Sequence, residues 1–536
     1  MTVPNDHEKT GSVFPPVEEE SLIRPTEQEL HDLVHVADNV PYQVWLVILI
    51  GSAERFVFYG ASTCLQNYLQ NRPHDLVPGV LGLGQADATA VNYAFMVLVN
   101  TAPVPLAVVA DGWLGRYKLI LLSTMIYLVG SCILFATSLP AAIQAGASAA
   151  GLGVSLVLIA LGIGGVKASI YPFIADQYPH HEPFVRELPS GERVVVERSL
   201  TIQYMYNWYF WFINVASLSG IATTFMEKYS SFWSAFLLCF CFLWVGLILM
   251  LVFKNQFSRT PPSGSVMPKV LRAIWLGVRS GMSLTAASPQ VQEEKYGRQV
   301  PWDDEFISGI RDALVACQIC LAFPIVWLCW GQTYNNLISQ AGQMETYGIP
   351  NDVMPNVNPI ACIIAGPIIQ QWLFPFLNRR KIPFRPIARI SVGFLLMGAS
   401  LAWAAGLQAF IYRAGPCYDR PLDCPAARRA DGSVIPQHIN VFLQVPCYAL
   451  MAVGEIFCVT TGSEFCYSRA PKSMKSIVQA LFVGAASISY ALGIAISPAA
   501  KDPNMTIFYA CLTGVQILIT VGFWFKFRKL DRAIIV

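Results

Sequence analysis

The chain has 536 residues, of which 54% are hydrophobic and only 13% are charged, and its mean hydropathy is +0.47. This composition is too apolar for a soluble protein of that length, so the chain is predicted to be a membrane protein in contact with the lipid bilayer. The net charge of +2, with no basic polar domain, excludes nucleic-acid binding on electrostatic grounds.

The first 42 residues form a polar segment that contains the acidic run 18–20. No basic stretch precedes an apolar one there, so a signal peptide is not indicated. We expect residues 1–42 to be a disordered tail.

Apolar windows of about 20 residues, the length that crosses a bilayer as a helix, recur from there to residue 527. We predict twelve spans, near 43–70, 89–110, 118–139, 151–175, 203–225, 231–253, 313–341, 356–377, 386–412, 439–466, 474–498 and 504–526. A polar linker, 254–312, separates an N-terminal half (43–253) from a C-terminal half (313–527), and 528–536 form a second tail. Six spans on each side predict an all-α transporter with its substrate path between two halves.

Two polar inserts have patterns of their own. The insert 179–200 after span 4 has a turn at 189–191 between valine-rich pieces, and a small hairpin or an irregular loop both fit that pattern. The stretch "VLRAIWLGVRSGM" in the linker has helically spaced apolar residues with Arg272 and Arg279 on the other face, which predicts an interfacial helix.

Basic residues mark alternate loops as cytoplasmic, because lysine and arginine resist translocation. These residues are Arg116 and Lys118 after span 2, Arg379, Arg380, Lys381 and Arg385 after span 8, and Arg469, Lys472 and Lys475 after span 10. Both termini are therefore expected in the cytoplasm. The plasma membrane is the expected location, with a vacuolar membrane as the alternative.

The loop 413–437 lies outside in this arrangement, although it contains arginines. Of the fourteen cysteines only Cys417 and Cys424 lie in a polar loop, and they are the candidate disulfide on an oxidising side. The other twelve lie in apolar segments and are expected to pack as small hydrophobes. The CxxC at Cys317 and Cys320 has no second pair or histidines, so no metal site is expected.

Few charges lie deep in the spans: Glu54 and Arg55 in span 1, Lys167 in span 4 and Glu455 in span 10. Structural ion pairs are one interpretation, although apolar packing holds helices together without the cost of burying charge. The other is a cavity of both signs, suited to a zwitterion. Such a cavity also allows proton coupling through a glutamate beside a base.

Other sequence features are less specific. "GLGVSLVLIALGIGGVK" lies inside span 4, so its glycines are expected to allow close helix packing. Trp327 and Trp330 fit equally a pocket wall or plain packing. GxSxG, HExxH and P-loop motifs are missing from the sequence, so neither an enzyme nor an ATP-driven pump is indicated.

Several motifs make the chain resemble one transporter family. They are "AERFVFYG" and "LQNYLQN" in span 1, "VADGWLGRYK" between spans 2 and 3, "GIGGVKASIYPFIADQY" in span 4, "NWYFWFINVASLSG" in span 5, "FPIVWLCWGQTYNNLISQAGQM" in span 7 and "VGEIFCVTTGSEFCYSRAPKSMKS" in span 10. Over about 40–527 the chain resembles the proton-dependent oligopeptide transporters of the major facilitator superfamily, especially their fungal branch. The resemblance implies that fold, a monomer, import of small peptides and a proton gradient in place of a cofactor.

The resemblance also implies roles for single residues. Arg55 and Lys167 correspond to bases for the peptide carboxylate, Glu455 and Asn214 to the amino end, and Tyr59 to a pocket tyrosine. Proton coupling is expected at Glu54, Lys167 and Glu455, with Glu54 paired to Lys167 once its proton has been released. Asp111 and Arg116 correspond to a cytoplasmic gate. Span 7 adds three candidate substrate contacts: Trp327, Gln332 and Asn335.

Three positions depart from the family pattern, which in span 1 is E-x-x-E-R-F-x-Y-Y-G. Gly51 replaces its first glutamate and Phe58 its first tyrosine, and Gly331 stands where many members carry an acid. Two customary proton carriers are therefore missing, so coupling must rest on Glu54 and Glu455 or be altered.

The function predicted from the sequence is the import of di- or tripeptides with protons by alternating access. One alternative is a transporter of the same fold for nitrate or a peptide-like secondary metabolite, uncoupled or exporting. The other is a receptor that binds peptides and moves none.

Overall fold

The computed structural model describes residues 24–180, 182–187, 191–262, 264, 267–280, 284–380, 382, 384–421, 424–427, 435–469 and 475–529. The disordered tail predicted at 1–42 lies outside these residues for 1–23. The C-terminal tail lies outside them from residue 530 onward.

Within the residues that the structure describes, twelve apolar spans are present when a bent pair of helices is counted as span 7. In chain order they are Tyr42–Gln70, Gln85–Leu114, Arg116–Thr137, Ser148–Asp176, Arg198–Tyr229, Phe232–Val252, Asp304–Leu314 with Cys317–Gly342, Asn351–Leu377, Pro386–Ile411, Val441–Cys466, Leu481–Ala499 and Met505–Phe527. At about 1.5 Å rise per residue each is long enough for a hydrocarbon core of about 30 Å. The predicted twelve-span, all-α architecture is confirmed.

Several spans are interrupted helices. Span 2 consists of Gln85–Thr101, Pro103–Val109 and a π-helical turn at Ala110–Leu114, and span 5 of Arg198–Ser217 and Ser219–Tyr229. Span 8 consists of Asn351–Asn356, Val357–Pro367, Ile368–Leu373 and Phe374–Arg379, and the helix of span 11 begins at Lys475. Shorter helices cover Glu27–Asp32, Pro140–Gln144 and Pro289–Tyr296. The prolines that start or end several of these pieces explain the breaks, because proline removes a helical hydrogen bond.

Spans 1–6 and spans 7–12 have separate apolar cores. Two clusters between Val44 and Phe257 fill the first half. A larger cluster from Val270 to Phe527 fills the second half and takes in Tyr93 from span 2. Apolar side chains on the outer surface stay exposed, for example Val129, Ile248 and Leu518, as lipid-facing residues should be. Each half therefore has an apolar core that is mostly its own.

One end of the bundle, here called the linker end, contains the linker and a small sheet. The strands are β1 (Val34–Val36), β2 (Phe184–Glu187) and β3 (Arg193–Val196), in the order β1-β3-β2. β2 and β3 form an antiparallel hairpin, the first of the two structures that fit the insert 179–200, and β1 pairs with β3 in parallel.

The predicted disorder of 1–42 is wrong for 27–36. Thr26 and Glu29 form a reciprocal capping box at the start of the helix Glu27–Asp32. Glu29 also binds Arg193 at 2.7 Å, and β1 joins the sheet directly afterwards. The capping signal was present in the sequence, but the partner strand that orders β1 lies far along the chain.

The linker contains the predicted amphipathic helix, Met267–Arg279. Val270 and Ala273 pack into the core of the second half, whereas Leu271 and Trp275 are exposed. The guanidinium of Arg279 lies 5.2 Å from the Trp275 ring centroid. An apolar exposed face beside arginine is what a helix at the bilayer surface requires.

The opposite end, here called the disulfide end, contains the bond between Cys417 and Cys424 that the sequence predicted. Strands β4 (Met344–Glu345) and β5 (Gln437–Asn440) pair in parallel there. Asp502 accepts hydrogen bonds from Gln343 at 2.9 Å and from the Tyr412 hydroxyl. Burial raises the pKa of Asp502 to about 6, although both hydrogen bonds oppose that shift.

The glycines of span 4 are a packing surface, as the sequence predicted. A Cβ on Gly162 would lie 2.4 Å from the Tyr127 Cβ and 2.8 Å from its Cα, on span 3. A Cβ on Gly165 would lie 1.8 Å from the Ser123 Oγ. Spans 3 and 4 can approach this closely because these positions have no side chain.

We expect Gly162→Ala to lower the free energy of unfolding by about 1–3 kcal/mol, because the added methyl group meets backbone and cannot be accommodated by a rotamer change. The measurement is the thermal unfolding midpoint in detergent. Gly153→Ala is the matched control on the same helix, since nothing lies within 4 Å of its Cβ position. Equal midpoints for the two variants would contradict the packing argument.

Candidate functional site

In span 1 the first charged pair is formed by neighbouring residues. Arg55 donates from Nε to Glu54 Oε2 at 2.6 Å and from its NH2 group to Oε1 at 2.9 Å. Only 4% of the Glu54 side chain and 13% of the Arg55 side chain are exposed. The Arg55 guanidinium also lies 5.0 Å from the centroid of the Phe58 ring. A two-point ion pair offsets the cost of burying both charges.

Span 4 supplies the third charge of the first half. The Lys167 ammonium donates to Asn100 Oδ1 of span 2 at 2.7 Å. Lys167 lies close enough to Arg55 and Glu54 to interact with both through space. The predicted contact between Glu54 and Lys167 is not among the described ion pairs, because Arg55 occupies both carboxylate oxygens. Among the described residues the ammonium therefore has an amide partner and no paired carboxylate.

The second half contributes Glu455 at the end of the α-helical part of span 10. Glu455 Oε2 accepts a hydrogen bond from Trp330 Nε1 of span 7 at 3.0 Å. A π-helical turn, Ile456–Thr460, follows directly. Such turns often accompany functional sites, because they redirect one side chain without ending the helix. Trp330 therefore belongs to the candidate site through its bond to Glu455, whereas the sequence left its role undecided.

Two tyrosines bring the halves together at the site. The rings of Tyr59 (span 1) and Tyr334 (span 7) have centroids 6.3 Å apart, and Tyr334 lies 5.5 Å from Trp330. Tyr59 is close enough to Arg55 and to Glu455 for both charges to act on it. The site therefore presents bases on the first half and an acid on the second, with aromatic rings between them.

The remaining predicted contacts lie in different surroundings. Gln332 is fully buried and donates to the Tyr93 hydroxyl at 2.7 Å, so it joins span 7 to span 2. Asn335 donates to its own helix at Gly331 O and lines a closed cavity of about 10 Å³, the space of one water.

Trp327 and Asn214 have no direct hydrogen bond to the charged residues in the described part of the chain. Trp327 contacts Trp330 edge-on at 5.9 Å, and its buried Nε1 has no partner in the described part of the chain. Asn214 is exposed and donates to Phe210 O of its own helix at 2.9 Å. The structure thus brings Arg55, Tyr59, Lys167 and Glu455 together. Trp327 borders this group through Trp330, whereas the described hydrogen bond of Asn214 stays within its own helix.

Tyrosines fill the places of the two missing acids. A Cβ on Gly51 would lie 2.7 Å from Tyr209 Cε2 and 2.7 Å from its hydroxyl, and Tyr209 is 2% exposed. A Cβ on Gly331 would lie 3.0 Å from Tyr93 Cε1 and 3.2 Å from Tyr490 Cε1. Both positions have been remodelled around aromatic rings, so neither has space for a carboxylate.

The sequence did not reveal these tyrosines or Asn100 as site residues. Each of them lies on a different span from the residue it contacts, and single apolar helices give no register relative to one another. The only signal was the two unexpected glycines, which marked where large side chains from elsewhere had entered.

Hydrogen bonds between the halves close the disulfide end. Asn67 and Asn351 exchange amide hydrogen bonds at 3.0 Å, and Asn336 accepts from Gln85 at 3.0 Å. Ser339 donates to Gln70. Toward the linker end Tyr171, one turn beyond Lys167, is 40% exposed. This conformation is closed at the disulfide end, and the site has its exposed side toward the linker end.

The predicted gate residues lie at the linker end. Arg116 binds Asp176 of span 4 at 2.6 and 2.7 Å, whereas its Nε is 3.9 Å from Asp111. Thr260 of the linker donates to Asp176 at 2.7 Å, and Gly264 N donates to Asp111 O at 2.9 Å. Arg116 therefore pairs mainly with Asp176, and both acids contact the linker.

Comparison with known proteins gives one consistent family. The sequence pattern of the POT family matches residues 117–510. The chain is 41% identical over 504 residues to peptide transporter PTR_C of Candidozyma auris, covering 94% of this chain and 87% of that protein. It is 37% identical over 518 residues to peptide transporter PTR2 of Saccharomyces cerevisiae, covering 97% and 84%.

A solved structure of the POT family transporter PepTSo is similar in fold. It superposes with a TM-score of 0.71 at 21% identity, covering 92% of this chain and 99% of that chain.

We expect Gly51→Ala to lower the free energy of unfolding by about 1–3 kcal/mol, because the methyl group displaces the buried Tyr209 ring. In a background that carries Tyr209→Leu, Gly51→Ala should cause little further loss, because the ring that it displaces is gone. The losses in unfolding free energy of the two changes are then not additive. Gly246→Ala is the control in the neighbouring span 6, where the Cβ would meet Ala53 at an ordinary 3.6 Å. Additive losses in thermal unfolding would mean that Tyr209 does not fill the Gly51 position.

Proposed function

The chain belongs to the POT family within the major facilitator fold, and from that premise we propose that it imports di- and tripeptides together with protons by alternating access. The observation that carries the proposal is the site of mixed charge between the halves. Arg55 and Lys167 are on one side and Glu455 is on the other, joined by Tyr59 and its neighbours. This distribution suits a substrate with a carboxylate and an ammonium at opposite ends.

In the proposed binding mode the peptide carboxylate meets Lys167 and Arg55. Lys167 has only the neutral oxygen of Asn100 as its hydrogen-bond partner among the described contacts, so a carboxylate ligand would gain a charge-assisted bond without breaking an ion pair. Arg55 would share its guanidinium between Glu54 and the ligand. The peptide ammonium would meet Glu455, which Trp330 holds in place.

Proton coupling is proposed at Glu54, Lys167 and Glu455. A proton on Glu54 weakens its pair with Arg55 and frees the base for the peptide carboxylate, and release of that proton restores the pair. No cofactor is required, since the proton gradient supplies the energy. The tyrosines that replace two acids concentrate this role on the glutamates that remain.

The orientation is proposed from the basic loops. With both termini and the linker in the cytoplasm, the disulfide end faces outward, where an oxidising environment maintains Cys417–Cys424. The conformation described above is then open toward the cytoplasm. We place the protein in the plasma membrane as a monomer.

A second candidate, transport of another solute by the same fold, is favoured by one observation. Tyr209 occupies the Gly51 position, and Tyr93 and Tyr490 border Gly331, so the site differs where the family usually carries acids. Uptake of a panel of peptides, nitrate and peptide-like metabolites in a host that lacks peptide transport separates the two candidates.

We expect labelled dipeptide to accumulate in proteoliposomes only under an inward proton gradient, and Lys167→Ala to lower that uptake at least tenfold because the carboxylate loses its unpaired cation. Lys501→Ala, a change in an exposed loop, is the control and should transport as the unmodified protein does. Equal uptake with and without the gradient would remove proton coupling and leave transport intact. Normal uptake by Lys167→Ala would give that lysine a packing role only.

We expect an N-acetylated dipeptide to compete with labelled dipeptide at least tenfold more weakly than the free dipeptide does. A hydrogen bond to a charged group contributes about 1.5–3 kcal/mol, and acetylation removes the ammonium that would bind Glu455. In Glu455→Gln the two competitors should become nearly equal, whereas Glu464→Gln, an exposed acid on the same span, should keep the difference. A difference that survives in Glu455→Gln would place the amino end elsewhere.

A further inference from the structure

Two carboxylates face each other where the halves meet at the disulfide end. Glu227 ends span 5 in the first half, and Asp352 begins span 8 in the second half. A carboxylate oxygen of each and the Cys64 sulfur lie within 4.8 Å of one another. Asp352 is completely buried, with 0% exposure. The family motifs used above include neither acid.

The hydrogen bonds around this pair leave most of its oxygens without a donor. Asn67 donates to Glu227 Oε1 at 3.2 Å. Glu227 Oε2 and both oxygens of Asp352 are buried and have no partner in the described part of the chain. The Cys64 thiol is directed to Gly60 O of its own helix at 3.6 Å.

Cations near the pair do not neutralise it. Lys228 follows Glu227, is exposed, and has no ion pair within 4.0 Å among the described residues. It attracts Asp352 only through space, and its exposure leaves that attraction weakened by solvent. His74 is exposed in the loop between spans 1 and 2. It lines a cavity of about 660 Å³ that also borders Glu227, Lys228 and Asp352. Cys64 is the third titratable group at the pair, and Asn67 and Asn351 are neutral.

We propose that Glu227 and Asp352 share one proton, and that this proton is a condition for closing the disulfide end. Two adjacent carboxylates whose buried oxygens have no cation bound to them among the described residues do not both stay ionised. One proton turns one of them into a donor to the other and satisfies two of the three unpartnered oxygens. The inference rests on the proposed alternating access, because the pair joins the two moving halves.

The surrounding contacts tie this proton to the conformation. Spans 5 and 8 approach so closely that a Cβ on Gly220 would lie 2.7 Å from Asn356 Oδ1. When the halves separate, water reaches both carboxylates and either can ionise alone. The cavity that borders the pair connects it to the disulfide end, so the proton comes from that side. Acidic pH there favours closure, and alkaline pH favours opening.

The test is the distance between the halves at the disulfide end as a function of pH. Spin labels are attached at Gln144→Cys in the first half and Tyr347→Cys in the second, both exposed. The exposed Cys132, Cys241 and Cys511 are replaced by serine. Distances are measured by pulsed electron paramagnetic resonance in lipid nanodiscs without peptide. A chelator is present so that a trace metal cannot replace the proton.

As the pH is raised, we expect the ratio of closed to open protein to fall by up to about tenfold per pH unit over the range in which the shared proton is released. The double variant Glu227→Gln with Asp352→Asn should stay closed, and its ratio of closed to open protein should change less than twofold over the same pH range, because amides hydrogen-bond without ionising. Asp419→Asn, an exposed acid at the same end, should respond as the unmodified pair does.

Three results would overturn the proposal: distances that do not change with pH in the unmodified protein, an unchanged pH response in the double variant, and loss of the response in Asp419→Asn. Glu227→Gln alone should also stay closed at high pH, which decides the matter if the double variant does not fold. Because the measurement contains no peptide, a failure of peptide uptake would not affect it.

Discussion

The central constraint on this structure is the cost of placing charge inside a bundle surrounded by lipid. The first half meets it locally: Arg55 holds both oxygens of Glu54, its neighbour in sequence, so this pair needs no second helix. Lys167 is left with an amide partner. The pair of Glu54 and Arg55 therefore does not depend on the second half and can persist when that half moves away. Lys167 is the one of these three charges that has no opposite charge bound to it among the described contacts, so it is the charge that a ligand can meet.

The same constraint explains the tyrosines. A carboxylate at Gly51 or Gly331 would add a second negative charge beside Glu54 or near Glu455. Tyr209, Tyr93 and Tyr490 instead fill these places with rings whose polar edge is neutral. The site then has fewer groups that can carry a proton through its centre. Any additional coupling has to be located elsewhere, and the buried pair Glu227 and Asp352 is placed between the same two halves.

The sequence predicted what depends on local pattern. Span number, the division into halves, the linker helix and the disulfide all follow from apolar periodicity, charge and the position of two cysteines. It also singled out Glu54, Arg55, Lys167 and Glu455 as candidate site residues, because deep charges are rare enough to stand out. It did not predict the hydrogen bond between Lys167 and Asn100 or the position of the Tyr209 ring beside Gly51. The rotation and height of one apolar helix relative to another are set by packing of the whole bundle. The helix and strand at 27–36 were missed because β1 depends on a distant strand.

Two kinds of interaction hold the disulfide end closed: neutral amide hydrogen bonds and the buried pair of carboxyl groups. Pairs such as Asn67 with Asn351 and Gln85 with Asn336 are neutral hydrogen bonds, each with a net contribution of about 0.5–1.5 kcal/mol. They exchange readily for water when the halves separate, so they hold the two conformations near balance. Against such a background a single ionisation has a large effect, since a bare buried carboxylate costs more than several of these bonds contribute. The pair of acids therefore controls a closure to which it adds few contacts.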